Sequence, residues 1–243
     1  MTSFVTAKYD ALSGQILDPN SVITSPYTLK QSAVPSVLPS SGTSNATGQI
    51  TLTTALPYQP VGPVSLYLPA GVVTAGAQGT GAGLYQVVFS STTVCQIQGT
   101  GIVTANAAYT QTTGADINLM TTVVPGGAMG ANGSLRTTLV FANNNSVNNK
   151  IFSYRFGTAV NILSTQTTST GTRTQLQTHN RGSLQSNYTF PSIGATFGST
   201  ANTPPYSSID TSVNQPLQFF GQLATAADFM FIECYTVEVL PSA

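Results

Sequence analysis

Phe229-Met230-Phe231-Ile232-Glu233-Cys234-Tyr235-Thr236-Val237-Glu238-Val239-Leu240 is the run whose reading decides the fold. It is rich in aromatic and β-branched residues, holds neither Gly nor Pro, and is long and apolar enough to be a central strand. Working back from it, Pro216 to Gln222, Asn187 to Phe190, Thr172 to His179 and Ala159 to Thr165 read as further strands. Lys150 to Phe156 and Leu135 to Phe141 extend the series. Asparagine tolerates left-handed backbone, so Asn143–Asn149 between these two reads as a hairpin or broad turn. The whole set is expected to form an antiparallel meander.

Upstream the strand signal continues. Gln49-Ile-Thr-Leu-Thr-Thr alternates apolar and hydroxyl residues, and Val64 to Leu68, Leu84 to Phe89 and Thr92 to Ile97 repeat the pattern. The Gly-rich Gly76–Gly83 is a turn rather than a phosphate loop, because no Gly-Lys-Ser/Thr follows it. Gly99–Gly114 reads as loop with a short strand at Ile102–Val103. Pro125–Gly133 is the densest turn cluster, either a domain boundary or a long loop. Residues 1–45 contain Pro19, Pro26, Pro35 and Pro39, which favour extended chain over helix. Apolar residues within them suit an arm laid on the chain's own body or, as the favoured reading, on a neighbouring subunit. Helical periodicity bounded by caps is missing throughout. The expected fold is therefore all-β: an antiparallel β-sandwich or jelly-roll body behind an extended N-terminal arm. Its expected divisions are 1–45 (arm), 46–130 (a smaller β module) and 131–243 (the sandwich).

Composition bounds the chemistry. Only 6% of 243 residues are charged, with seven bases, seven acids and one histidine at net charge zero, against roughly 25% charged residues in an average domain. Catalysis near neutral pH draws on ionisable groups, so no enzymatic activity and no catalytic residue is expected. His179 lacks a Gly-x-Ser-x-Gly companion and reads as a structural residue at a strand end. The acids are scattered. Glu233 and Glu238 share one strand at odd spacing, which assigns them to opposite faces and makes them a poor glycosidase pair. Arg136, Lys150, Arg155, Arg173 and Arg181 read as braces for carboxylates and carbonyls rather than an anion site. The aromatics Phe152, Tyr154, Phe156, Phe219, Phe220, Phe229, Phe231 and Tyr235 alternate with polar residues and read as core.

Cys95 and Cys234, in apolar runs, are expected to be buried free thiols, and with a lone histidine they make no zinc site. No cofactor is expected. Zero net charge makes nucleic acid and anionic membranes poor partners, and no run reaches the ~18 apolar residues that span a bilayer. The N-terminal residues show no export signal, and the sequons at Asn45, Asn132, Asn144 and Asn187 are expected to stay unmodified.

About two thirds of the chain resembles β modules in virion structural proteins of tailed bacteriophages. The similarity rests on Gly-Ala-Asn-Gly-Ser-Leu-Arg at 130–136, Asn-Asn-Lys at 148–150, Tyr-Arg-Phe-Gly at 154–157 and His-Asn-Arg-Gly at 179–182. Gly-Gln-Leu-Ala-Thr-Ala-Ala-Asp at 221–228 and Tyr-Thr-Val-Glu-Val-Leu at 235–240 belong to it, as do Tyr-Leu-Pro-Ala-Gly at 67–71 and Val-Val-Phe-Ser-Ser-Thr-Thr-Val at 87–94. These motifs are turns and strands. They imply a virion component assembled in the host cytoplasm and transfer no catalytic residue.

The expected function is a capsid decoration (cement) or head-appendage subunit, a homotrimer bound to the major capsid protein or other virion proteins. Its assembly contacts would be Phe4, Val5, Tyr9, Ile16, Leu17, Ile23, Tyr27 and Leu29 of the arm. The alternative is a tail-fibre or receptor-binding subunit that recognises host surface glycans. Its candidate loops are Asn143–Asn149, Gln166–Thr174 and Gly198–Ser208.

Overall fold

The computed structural model describes residues 8–10, 15–17, 27–32, 35–191 and 206–242. All regular structure among them is β. In chain order the first strands are β1 (Lys8–Asp10), β2 (Gln15–Leu17), β3 (Tyr27–Ser32), β4 (Ser36–Leu38), β5 (Gly42–Ser44), β6 (Gln49–Leu52) and β7 (Pro63–Leu68). There follow β8 (Val73–Ala75), β9 (Gly83–Phe89), β10 (Val94–Ile97), β11 (Val103–Thr104), β12 (Ala108–Tyr109), β13 (Ile117–Val124) and β14 (Ser134–Asn143). The last are β15 (Lys150–Phe156), β16 (Ala159–Gln166), β17 (Gly171–Asn180), β18 (Asn187–Pro191), β19 (Tyr206–Ser207), β20 (Gln215–Leu223) and β21 (Met230–Leu240).

Two sheets dominate. The larger runs β12-β5-β6-β10-β9-β7-β4-β21-β14-β17-β18-β19, with β3 also pairing β21; the smaller runs β13-β20-β15-β16. Pairing is antiparallel except between β4 and β7. β21 is central, flanked by β14 along its whole length on one side and by β3 and β4 on the other. The two sheets close on one core. Leu135, Leu139 and Phe141 of β14 and Ile232, Tyr235, Val237 and Val239 of β21 meet Leu119, Phe152, Tyr154, Phe156, Leu217 and Phe219 of the smaller sheet. The Phe141 and Phe152 ring centroids lie 3.7 Å apart across the gap. The Tyr154 hydroxyl, fully buried, is 3.1 Å from Thr178 Oγ1, which is 2.8 Å from Thr189 Oγ1, so this phenol is not stranded. This is the expected antiparallel sandwich.

A second core lies on the strands of the first half. Val37, Ile50, Leu66, Tyr85, Val87, Phe89, Cys95 and Ile97 gather there, joined by Phe229 and Phe231 from the start of β21. Cys95 is buried and unpaired, and burial pushes its thiol up to about 12, so it acts as a small apolar side chain. The turn cluster Pro125–Gly133 carries the chain from β13 in the smaller sheet to β14 in the larger, and Met129 within it is buried in the sandwich core.

Three expectations are corrected. The strands from Leu135 onward do not form a meander: β14 pairs with β17 and β21, while β15 pairs with β16 and β20 in the other sheet. Asn143–Asn149 is therefore a crossover between layers and not a hairpin. Residues 1–45 are not all arm, because β3, β4 and β5 lie in the main sheet and Leu29 packs on the sandwich core. Finally, β21 carries a bulge at Glu233, where Val140 faces Cys234 but Phe141 faces Ile232. The extra residue resets the alternation, so odd spacing no longer assigns Glu233 and Glu238 to opposite faces.

Candidate functional site

The end of the sandwich where β14 finishes and β15 begins gathers the chain's most polar loops. Asn143 ends β14 with its side chain turned inward, and its Nδ2 donates to Ser169 O at 2.6 Å and to Asn144 O at 3.1 Å. Asn143 N donates to Thr170 O at 3.0 Å, and Ser146 N to Thr167 O at 3.3 Å. The turn between β16 and β17 is thereby stitched onto the crossover. Ala224 N donates to Asn149 O at 3.0 Å, which brings in the loop between β20 and β21. Asn145, Val147, Asn149, Thr168, Ser169 and Thr170 are left exposed on this pole.

Beneath them sits a buried ion pair. Lys150 Nζ lies 3.9 Å from Asp228 Oδ2, with both side chains almost wholly out of solvent. The ammonium donates to Ser146 Oγ at 2.7 Å and to Asn148 O at 2.9 Å. Asp228 accepts from Asn144 Nδ2 at 2.7 Å and from Ser146 Oγ at 3.0 Å, and Asn144 Oδ1 accepts from Phe229 N at 3.0 Å. Loss of water pushes the Lys150 pKa down, and the Asp228 charge opposes that shift. A buried charge is tolerated only when its remaining hydrogen bonds are met, and here the partners come from the crossover itself. The network fixes the shape of the polar pole from below.

Two of the three loops singled out by sequence thus come together. The third, Gly198–Ser208, lies mostly outside the described residues; its described end pairs through β19 with Asn187, opposite Asn180 at the far end of β17. Of the arm residues, Phe4, Val5 and Ile23 lie outside the described residues. Tyr9 pairs with Ile16 and Lys8 with Leu17 in the β1–β2 ladder, while Tyr27 pairs with Val239 of the chain's own β21.

Several other ionisable groups are engaged elsewhere in the fold. Arg136 meets Glu238 at 2.8 Å across β14 and β21. Arg155 meets Asp116 at 2.6 Å and stands 4.0 Å over the Phe220 ring. Glu233 accepts from the Tyr58 hydroxyl, and burial raises its pKa. Asp210 accepts from Ser212 N at 2.9 Å and Gln185 Nε2 at 3.3 Å. His179 stacks on Tyr188 at 5.3 Å between centroids, and burial lowers its pKa. The eight aromatics named above are buried, which makes them core rather than a sugar platform. Among the described residues no three His, Cys, Asp or Glu side chains gather as metal ligands.

No protein-family model and no curated protein matches the chain. Among solved structures it is similar to the CBM2 module of the evolved Dit of Lactobacillus casei BL23 phage J-1, at 7% identity and a TM-score of 0.33 over 90% of this chain and 98% of that one. A likeness that slight transfers neither a fold nor a role.

Proposed function

We propose that the chain is a non-enzymatic structural component of a tailed-phage virion, and that its polar pole contacts host surface glycans. The observation that carries this reading is the convergence of Asn143–Asn149 and the Gln166–Thr170 turn at one end of the sandwich, braced by the buried Lys150–Asp228 pair. Exposed amides and hydroxyls on a pre-formed surface suit neutral polyols, since little ordering cost remains to be met on binding. The engagement of Asp116, Asp210, Asp228, Glu233 and Glu238 within the fold supports a role without bond-making chemistry.

Capsid decoration, as a homotrimer on the major capsid protein, is the second reading. It draws on the apolar N-terminal residues; with Tyr27–Ser32 committed to the chain's own sheet, docking would fall to the residues before them.

Binding of the purified chain to host cells, competed by host polysaccharide, is expected to drop by about tenfold (~1.4 kcal/mol) in the Asn145→Ala/Thr168→Ala double variant, with Tm unchanged. Unaltered binding in a folded double variant would sink the glycan reading. A virion copy number matching the major capsid protein would move the assignment to decoration, and turnover of the polysaccharide would restore an enzyme.

A further inference from the structure

Lys150 and Asp228 belong to different layers. Lys150 opens β15 of the smaller sheet, and Asp228 stands two residues before β21 of the larger. Their side chains are 0% and 3% exposed, and Nζ lies 3.9 Å from Oδ2. With so little solvent around them both charges are costly, and passing one proton from the ammonium to the carboxylate removes both. Burial pushes the Lys150 pKa down, which favours the neutral amine. A neutral amine beside a protonated carboxyl group is a nucleophile beside an acyl carbon.

The surrounding hydrogen bonds supply what a condensation needs. Ser146 Oγ accepts from Nζ at 2.7 Å and donates to Asp228 Oδ2 at 3.0 Å, so one hydroxyl links the two groups as a proton relay. Asn144 Nδ2 donates to Asp228 Oδ1 at 2.7 Å, where negative charge develops once the carboxyl carbon is attacked. Asn144 is itself fixed, because its Oδ1 accepts from Phe229 N at 3.0 Å. Reacting atoms meet at about 3–3.5 Å, and rotation about the terminal bonds of the lysine closes that gap.

We propose that Lys150 and Asp228 condense into an isopeptide bond that ties the two sheets together beneath the polar pole. Ser146 passes one ammonium proton to Oδ2, and Nζ then attacks Cγ. The Nζ–Cγ bond forms and the Cγ–Oδ2 bond breaks. Oδ2 leaves as water, carrying the relayed proton and a second one from Nζ, and one hydrogen stays on the amide nitrogen. No oxidant, metal or second substrate enters the step. The ion pair described above is the state before reaction. The chain modifies itself once and turns nothing over, so the bond is compatible with a non-enzymatic role and does not depend on the glycan reading.

The test is the intact mass of the purified full chain, followed by tryptic mapping. The folded chain is expected to be lighter than its sequence by one water, with peptide 137–155, uncut after Lys150, joined to peptide 182–243. Ser146→Ala keeps both reacting groups and should form the bond at least about 100-fold more slowly, seen as full-mass chain persisting after synthesis. Lys150→Arg keeps the cation, lacks the attacking amine and should carry the full mass. Where that variant fails to fold, the wild-type mass and the Ser146→Ala rate still decide. A folded wild-type chain that keeps its full mass through prolonged incubation overturns the inference, and so does a loss of water that maps away from Lys150 and Asp228. Loss of ammonia in place of water would put the bond on Asn144 and overturn the assignment to Asp228. An unchanged rate in Ser146→Ala removes the relay and with it the step as written.

Discussion

Lys150 shows both how much one position reveals and where reading it in sequence stops. It shares parity with Phe152, Tyr154 and Phe156, all buried, so its own side chain had to point into the sandwich. That alternation was legible. Its partner was not, because Asp228 lies 78 positions away in a loop with no pattern of its own. Removing either charge leaves the other buried, which typically costs about 3–5 kcal/mol. Lys150→Ala and Asp228→Ala should each destabilise the chain by that order in urea unfolding. Lys150→Met combined with Asp228→Leu should recover much of the loss. A near-zero effect of the single variants would show that water reaches the pair and that the crossover is held by its backbone bonds alone.

Strand existence was read well from period-two alternation, and strand partnership was not. β14, β15, β17 and β20 fall within a few residues of the expected runs. Their pairing across layers depends on where the Asn crossover sends the chain, and a string of asparagines permits a hairpin or a corner equally. β13 went unread for a physical reason. Its register slips between Asn118 and Met120, so Leu119 and Met120 are both buried and the alternation breaks. The prolines around β3 point to an arm, yet the strand pairs along β21 from Tyr235 to Val239. Deleting residues 1–26 should therefore leave Tm unchanged, while deletion through Ser32 should lower it and promote aggregation by baring a strand edge. Equal behaviour of the two truncations, measured by thermal melting and light scattering, would contradict a structural role for β3.

At the scale of the whole molecule, composition foretold the character of the surface: paired or capped charges, buried rings, and amides and hydroxyls left to face solvent. Composition could not foretell that the hydroxyl- and amide-rich loops would collect at one pole, since that needs the two-layer topology.

The strand Ser36–Leu38 has a mechanical consequence. Among the described residues it is the one strand of the large sheet between β7 and β21, it holds three residues, and Val37 and Leu38 enter different cores. Tension carried from one half of the sheet to the other passes along this narrow seam and through the contacts beside it, those of Phe229 and Phe231 and the hydrogen bonds of Tyr58 to Glu233 and Thr54 to Ala227. Pulled by optical tweezers between residues on either side, the chain should yield in two rips separated by a plateau, with the seam parting first. A single rip would mean that load spreads past β4 and that the halves fail as one.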